Sequence, residues 1–168
     1  MPALECYHDA RQWKDDRQWK REPSRYPDEE LSRGRLIFYP SVPRSTALEQ
    51  EIRSSRRLLD LGDDWDGDGS PGYDERTWDC AVGCLRRHAE WLRATLKRAM
   101  PVPSIDPGPA GAIDILWEND EYTLLLRVPP TAEGSIEFYG RRVAGGETRG
   151  HFPQGSMFTP LFAWLISY

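Results

Sequence analysis

The sequence has no apolar run long enough to cross a bilayer. Its most hydrophobic stretch, Met157 to Tyr168, falls far short of the roughly 20 residues a membrane helix needs. The opening residues, Met1-Pro2-Ala3-Leu4-Glu5-Cys6, show no basic region followed by an apolar core, so no secretory leader is read there. Cysteine is scarce: of three, Cys80 and Cys84 sit four apart in a helical pattern, as small buried hydrophobes rather than a disulfide framework. These absences set the expectation of a cytoplasmic protein. Positive charge is not in excess either. With 22 Lys and Arg against 27 Asp and Glu, the formal charge is -5, which argues against direct, nonspecific binding to nucleic-acid phosphates. Only three histidines are present, and the sequence lacks the G-x-S-x-G elbow, the phosphate-binding loop, the Rossmann glycine pattern and H-E-x-x-H. The expectation is a protein that is not an enzyme.

What is present suits one core. A chain of 168 residues, 39% hydrophobic and 11% aromatic, can bury one sizeable core and is too short for two ordinary domains. Residues 1–34 read as a polar N-terminal arm, and residues 35–168 as a single domain. The arm carries an echo, Arg11-Gln12-Trp13-Lys14 and Arg17-Gln18-Trp19-Lys20, whose tryptophans are candidates either to pack on the domain or to anchor a partner. Leu36 to Pro40 reads as a short strand stopped by proline.

Thr46 to Glu49 looks like a capping box opening a helix that places Leu48, Ile52 and Leu59 on one face and ends near Leu61-Gly62. A second helix is expected from Asp74 to about Arg98, because Trp78, Ala81, Val82, Leu85, Ala89 and Leu92 recur at the spacing of one buried face. Pro101 and Pro103 stop it. From Ala112 the period changes to two, with Ile113, Ile115 and Trp117 alternating with polar positions, and a hairpin is expected with Asn119-Asp120 as its turn and Tyr122, Leu124, Leu126 and Val128 returning. Ser135 to Gly140 repeats the alternation. Arg141 to Gln154, rich in glycine and arginine, reads as a loop before a buried C-terminal helix. The expected fold is α+β: a helix–loop–helix pair packed on a three- to four-stranded antiparallel meander, with a short C-terminal helix.

Three constellations could carry chemistry. Asp64 to Glu75 matches D-x-D-x-D-G followed by five residues and Glu, the calcium loop of an EF-hand, in which Asp64, Asp66, Asp68, Ser70 and Glu75 would supply the oxygens. Pro71 and the lack of a second such loop count against it. The competing reading is an irregular turn rich in Asx-type hydrogen bonds, with Trp65 plugging the core. Either way, Asp63, Asp64, Asp66, Asp68, Asp74 and Glu75 concentrate negative charge that favours a cation or a basic partner. Cys80, Cys84 and His88 form a row along the second helix, but two helical turns separate its ends, too far for one ion to hold all three. Asp114, Glu118 and Glu121 could be drawn as a carboxylate cluster for acid–base work, or as the solvent face of a sheet.

The core Trp65-Asp66-Gly67-Asp68-Gly69-Ser70, taken with Gly111-Ala112-Ile113-Asp114-Ile115-Leu116-Trp117-Glu118, resembles a group of small, uncharacterised bacterial proteins with the motifs W-D-G-x-G-[AS] and G-x-I-x-L-x-W. The resemblance covers roughly residues 45 to 140. Members of that group look like partners in two-gene cassettes of the toxin–antitoxin or antiviral-defence type. The resemblance therefore implies a non-catalytic accessory subunit that binds a protein encoded nearby. The candidate partner-binding residues are Asp63, Asp64, Asp66 and Asp68 of the loop and Trp13 and Trp19 of the arm; no cofactor is expected beyond the calcium reading.

Overall fold

A computed structural model describes residues 44–131 and 134–167. The arm, with Trp13 and Trp19, and the strand read at Leu36 to Pro40 lie outside the described residues.

Helix α1, Arg44–Ser54, begins ahead of the expected Thr46 and runs into a 3-10 turn, Ser55–Asp60. That tightening shifts the buried face from Leu59 to Leu58, because three residues per turn replace 3.6. Leu48, Ile52 and Leu58 enter the core. Ser55 is fully buried and satisfied: its hydroxyl donates to the Ile52 carbonyl at 2.8 Å and accepts from the Trp78 indole N–H at 2.9 Å. Helix α2, Glu75–Trp91, starts where Asp74 accepts from the Arg76 amide at 2.8 Å, the capping contact its short carboxylate favours. It buries Trp78, Ala81, Val82 and Leu85, as the spacing requires, and also Cys84 and His88. Its regular part ends earlier than expected. A π turn, Leu92–Leu96, ends in the left-handed Lys97, which reverses the chain before the prolines.

The strands are β1 Ser104–Pro107, β2 Ile113–Glu118, β3 Tyr122–Val128, β4 Ser135–Arg142 and β5 Glu147–Pro153, paired antiparallel in chain order. The fold is α+β as expected, with five strands rather than three or four. Each added strand lacks the alternation that marks β2 to β4. β1 is four residues long and ends in Pro107, tolerated because an edge strand leaves one side unpaired. β5 buries only Phe152, so Arg141 to Gln154 contains a strand where a loop was expected.

One sheet face carries Ile105, Ile113, Ile115, Trp117, Leu124, Leu126, Ile136 and Phe138 into the core, against α1, α2 and a short helix α3, Thr159–Leu165. Trp117 is 2% exposed and donates its indole N–H to the Pro101 carbonyl at 2.9 Å, so its large apolar surface is buried with its polar atom satisfied. Burying one such side chain contributes about 1.5–3 kcal/mol. Helix α3 buries Leu161, Phe162 and Leu165, in keeping with the expected buried C-terminal helix. The outer edge of β1 is capped by side chains: Glu51 accepts from the Ile105 amide at 3.2 Å, and Arg57 pairs with Asp106 at 3.2 Å. Among the described residues, no helix is long and apolar enough to cross a membrane.

Candidate functional site: an acidic loop beside an open cleft

The loop between α1 and α2 is ordered by its own carboxylates. Asp63 accepts from the Gly72 amide at 2.8 Å and Asp64 from the Gly69 amide at 2.8 Å. One Asp66 oxygen accepts from the amides of Asp68 and Ser70, at 3.0 and 3.2 Å, and the other accepts from the Ser70 hydroxyl. The Ser70 hydroxyl, then the Asp68 amide, hold the Asp66 carboxyl below the usual carboxylate range. Asp64 adopts the left-handed region, φ 61°, which an aspartate tolerates better than most side chains. Its amide donates to the Ser70 carbonyl at 2.7 Å, closing the turn. These are the Asx-type bonds of the turn reading.

Tyr73 anchors the loop to the sheet. The ring is buried beside Trp65, and its hydroxyl donates to the Gly108 carbonyl at 2.9 Å. Burial, then the negative charges of Asp114 and Asp66, push the phenol up to about 12. Two glycines allow the contact. A Cβ on Gly72 would stand 2.8 Å from the Leu61 carbonyl oxygen; Gly111, at φ +77°, lies under Gly72 and Pro71. Pro71 to Tyr73, which follow Trp65 to Ser70, therefore meet Gly108 and Gly111, just ahead of β2.

The outer sheet face adjoins this junction. Strand register aligns Asp106, Asp114, Arg127, Glu137 and His151 in one row across all five strands. Arg127 donates to both Asp114 oxygens, at 2.8 and 2.9 Å, in a half-buried bidentate pair. Arg127, Glu137 and His151 line an open cleft of about 460 Å3 together with Pro109, Ala110, Pro129 and Pro130.

No family model, curated protein or solved structure matches this chain. The site is therefore read from its own chemistry.

Asp63, Asp64, Asp66 and Asp68 are brought together and exposed. Among the described residues none of the four forms an ion pair, and the Asp68 carboxylate accepts no hydrogen bond. Of the calcium set, Asp64 and Asp66 point onto loop amides, Ser70 bonds to Asp66, and Glu75 pairs with Arg56 at 3.2 Å. Among the described residues no group of three or more His, Cys, Asp or Glu side chains is arranged around an ion-sized space. The helical row is committed to packing. Cys80 donates to Gln154 at 3.2 Å, and burial pushes the Cys84 thiol up to about 12. His88 donates from Nδ1 to the Cys84 carbonyl at 2.8 Å and accepts at Nε2 from the Phe158 amide at 3.0 Å. Asp114 is held by Arg127, Glu118 accepts from the Thr123 hydroxyl at 3.5 Å, and Glu121 sits in the following turn. Tyr73, Arg127, Glu137 and His151 were not among the sequence candidates. Outward alternation flags positions 127 and 137, but only strand register sets them in one row with His151.

Proposed function

We propose that this domain is a non-catalytic protein-binding module, an accessory or antitoxin-like subunit that holds a basic surface of a partner through the acidic loop. One observation carries the reading: Asp63, Asp64, Asp66 and Asp68 stand exposed and without basic partners among the described residues, on a backbone already fixed by hydrogen bonds. A loop ordered before binding loses little conformational entropy when a partner arrives, and concentrated charge speeds and orients the encounter. The same negative surface disfavours nucleic acid. The likeness of Trp65 to Ser70 and Gly111 to Trp117 to partners in two-gene cassettes supports a partner encoded nearby, within a toxin–antitoxin or defence system. It is the one support that comes from outside the geometry.

The test is co-expression with the neighbouring gene product. A complex should form, weaken as salt is raised, and weaken further in Asp68→Lys, because Asp68 carries charge without holding the turn together. A protein that stays solitary beside its neighbour, or a complex indifferent to Asp68→Lys, would sink the reading.

The spacing from Asp64 to Glu75 supports a second reading, a calcium-responsive loop. It requires Asp66, both of whose oxygens are engaged within the loop, to turn one toward the ion and Glu75 to leave Arg56, while Asp64 can keep its amide contact on one oxygen and offer the other. A calcium-specific rise in Tm, with magnesium as control and abolished in Glu75→Gln, would establish it; an unchanged Tm in the wild type would remove it.

A further inference from the structure

We infer that the cleft beside the acidic loop receives one arginine or lysine side chain of the partner, its cationic head on Glu137 and its aliphatic stem against the proline lining. The inference rests on the reading of the loop as a dock for a basic protein and names the anchor.

Charge selects a cation. The Arg127 guanidinium is matched by Asp114 through two short hydrogen bonds, so it adds little net positive charge to the floor. Among the described residues, Glu137 is the one carboxylate that lines the cleft. It is exposed and forms no ion pair among the described residues, although Arg127 is its cross-strand neighbour; Arg127 donates to Asp114. His151 stands across from Glu137 on β5 and offers the ring nitrogens of an imidazole to the same space.

Shape selects a long side chain. Pro109, Pro129 and Pro130 give the cleft apolar flanks and an ionic floor, which suits a side chain whose methylene stem packs while its tip stays polar. The cleft and the loop share a wall, since Gly111, beside Pro109 and Ala110, lies against Gly72 and Pro71.

The probe is Nα-acetyl-arginine amide, titrated into the full chain while backbone amide shifts are followed, with the uncharged isostere Nα-acetyl-citrulline amide as control. Shifts should centre on Ser135, Glu137 and His151. Affinity should fall roughly threefold in Glu137→Gln, as expected for one solvent-exposed charge pair. Citrulline should produce a clearly weaker response, and Asp68→Lys should leave arginine-amide occupancy of the cleft in place. Absent shifts, shifts confined to Asp63 to Asp68, or equal responses to citrulline or in Glu137→Gln would overturn the inference. If that happens while the native partner still responds to Asp68→Lys, the docking reading stands and only the anchor is wrong. If arginine amide fills the cleft but the partner binds Glu137→Gln as tightly as wild type, the assignment to the partner's side chain is overturned.

Discussion

His88 offers the sharpest test of how the C-terminal helix is held. The ring is fully buried, and its two neighbours fix its tautomer. The Cys84 carbonyl can only accept, so Nδ1 carries the proton; the Phe158 amide can only donate, so Nε2 is bare. The ring also stacks on Phe162 of α3 at 3.9 Å between centroids. His88→Phe keeps most of the apolar volume and removes both hydrogen bonds, which leaves the Phe158 amide without its acceptor. The cost at neutral pH should be about 1–3 kcal/mol, the usual penalty for stranding one buried polar group.

The pH dependence adds a second handle. Burial lowers the His88 pKa, its bond to the Cys84 carbonyl opposes that, and the nearby Arg87 charge lowers it further. Cys84 also faces the ring, and its thiol is raised rather than ionised, so it adds no countercharge. Between the depressed folded pKa and the ordinary histidine value the unfolded chain binds the extra proton. Stability from neutral His88 is therefore complete above about pH 6.5 and is lost as pH falls through that window, at up to about 1.4 kcal/mol per pH unit. Urea unfolding at several pH values between neutrality and mild acid should show the gap between wild type and His88→Phe narrowing on acidification. A gap that stays constant with pH would refute the assigned proton positions.

Other outcomes follow from the same geometry. Asp66→Ala should lower Tm more than Asp68→Ala, because Asp66 accepts three hydrogen bonds within the loop and Asp68 none; a thermal melt of each compares them directly. In a double-mutant cycle on the half-buried pair, Asp114→Asn with Arg127→Gln should give a coupling of about 1–2 kcal/mol, whereas a coupling near zero would show that the bidentate bond contributes nothing to folding. Lys97 ends the π turn at φ 54°, where a Cβ is strained. Lys97→Gly should therefore stabilise by about 0.5–1 kcal/mol in denaturant titration despite losing the Lys97 ammonium contact to the Ala94 carbonyl.

Much of the scaffold was legible because its periodicities are strong. Trp78, Ala81, Val82 and Leu85 mark one face of α2 that continues to Leu92 of the π turn, and Ile113, Ile115 and Trp117 mark alternate positions of β2; all are buried as read, while Ala89 of the helical set is only partly buried. The same logic failed at β5, where Thr148-Arg149-Gly150-His151 offers no apolar alternation and pairing with β4 alone makes the strand. Lys97 ended α2 before the prolines did, since backbone reversal at a left-handed residue leaves no hydrophobic trace. At the candidate site the charge cluster from Asp63 to Asp68 could be counted in the sequence, but not the direction its oxygens take. That direction separates Asp66, which holds the turn, from Asp68, which faces outward unbonded. The cleft was hidden for a different reason. Arg127, Glu137 and His151 come from three strands, and only register brings them into one row.

Docking of a basic partner on Asp68 and its neighbours, as proposed, makes binding depend on charge at that position. The most direct measurement is the affinity of the purified neighbouring gene product for wild type and for Asp68→Lys, each at low and high salt, with equal Tm confirming that both are folded. The complex should be salt-sensitive and weakened by Asp68→Lys at low salt, with the difference shrinking as screening increases. Equal affinities at both salt concentrations, or no complex with a folded neighbour, would contradict it.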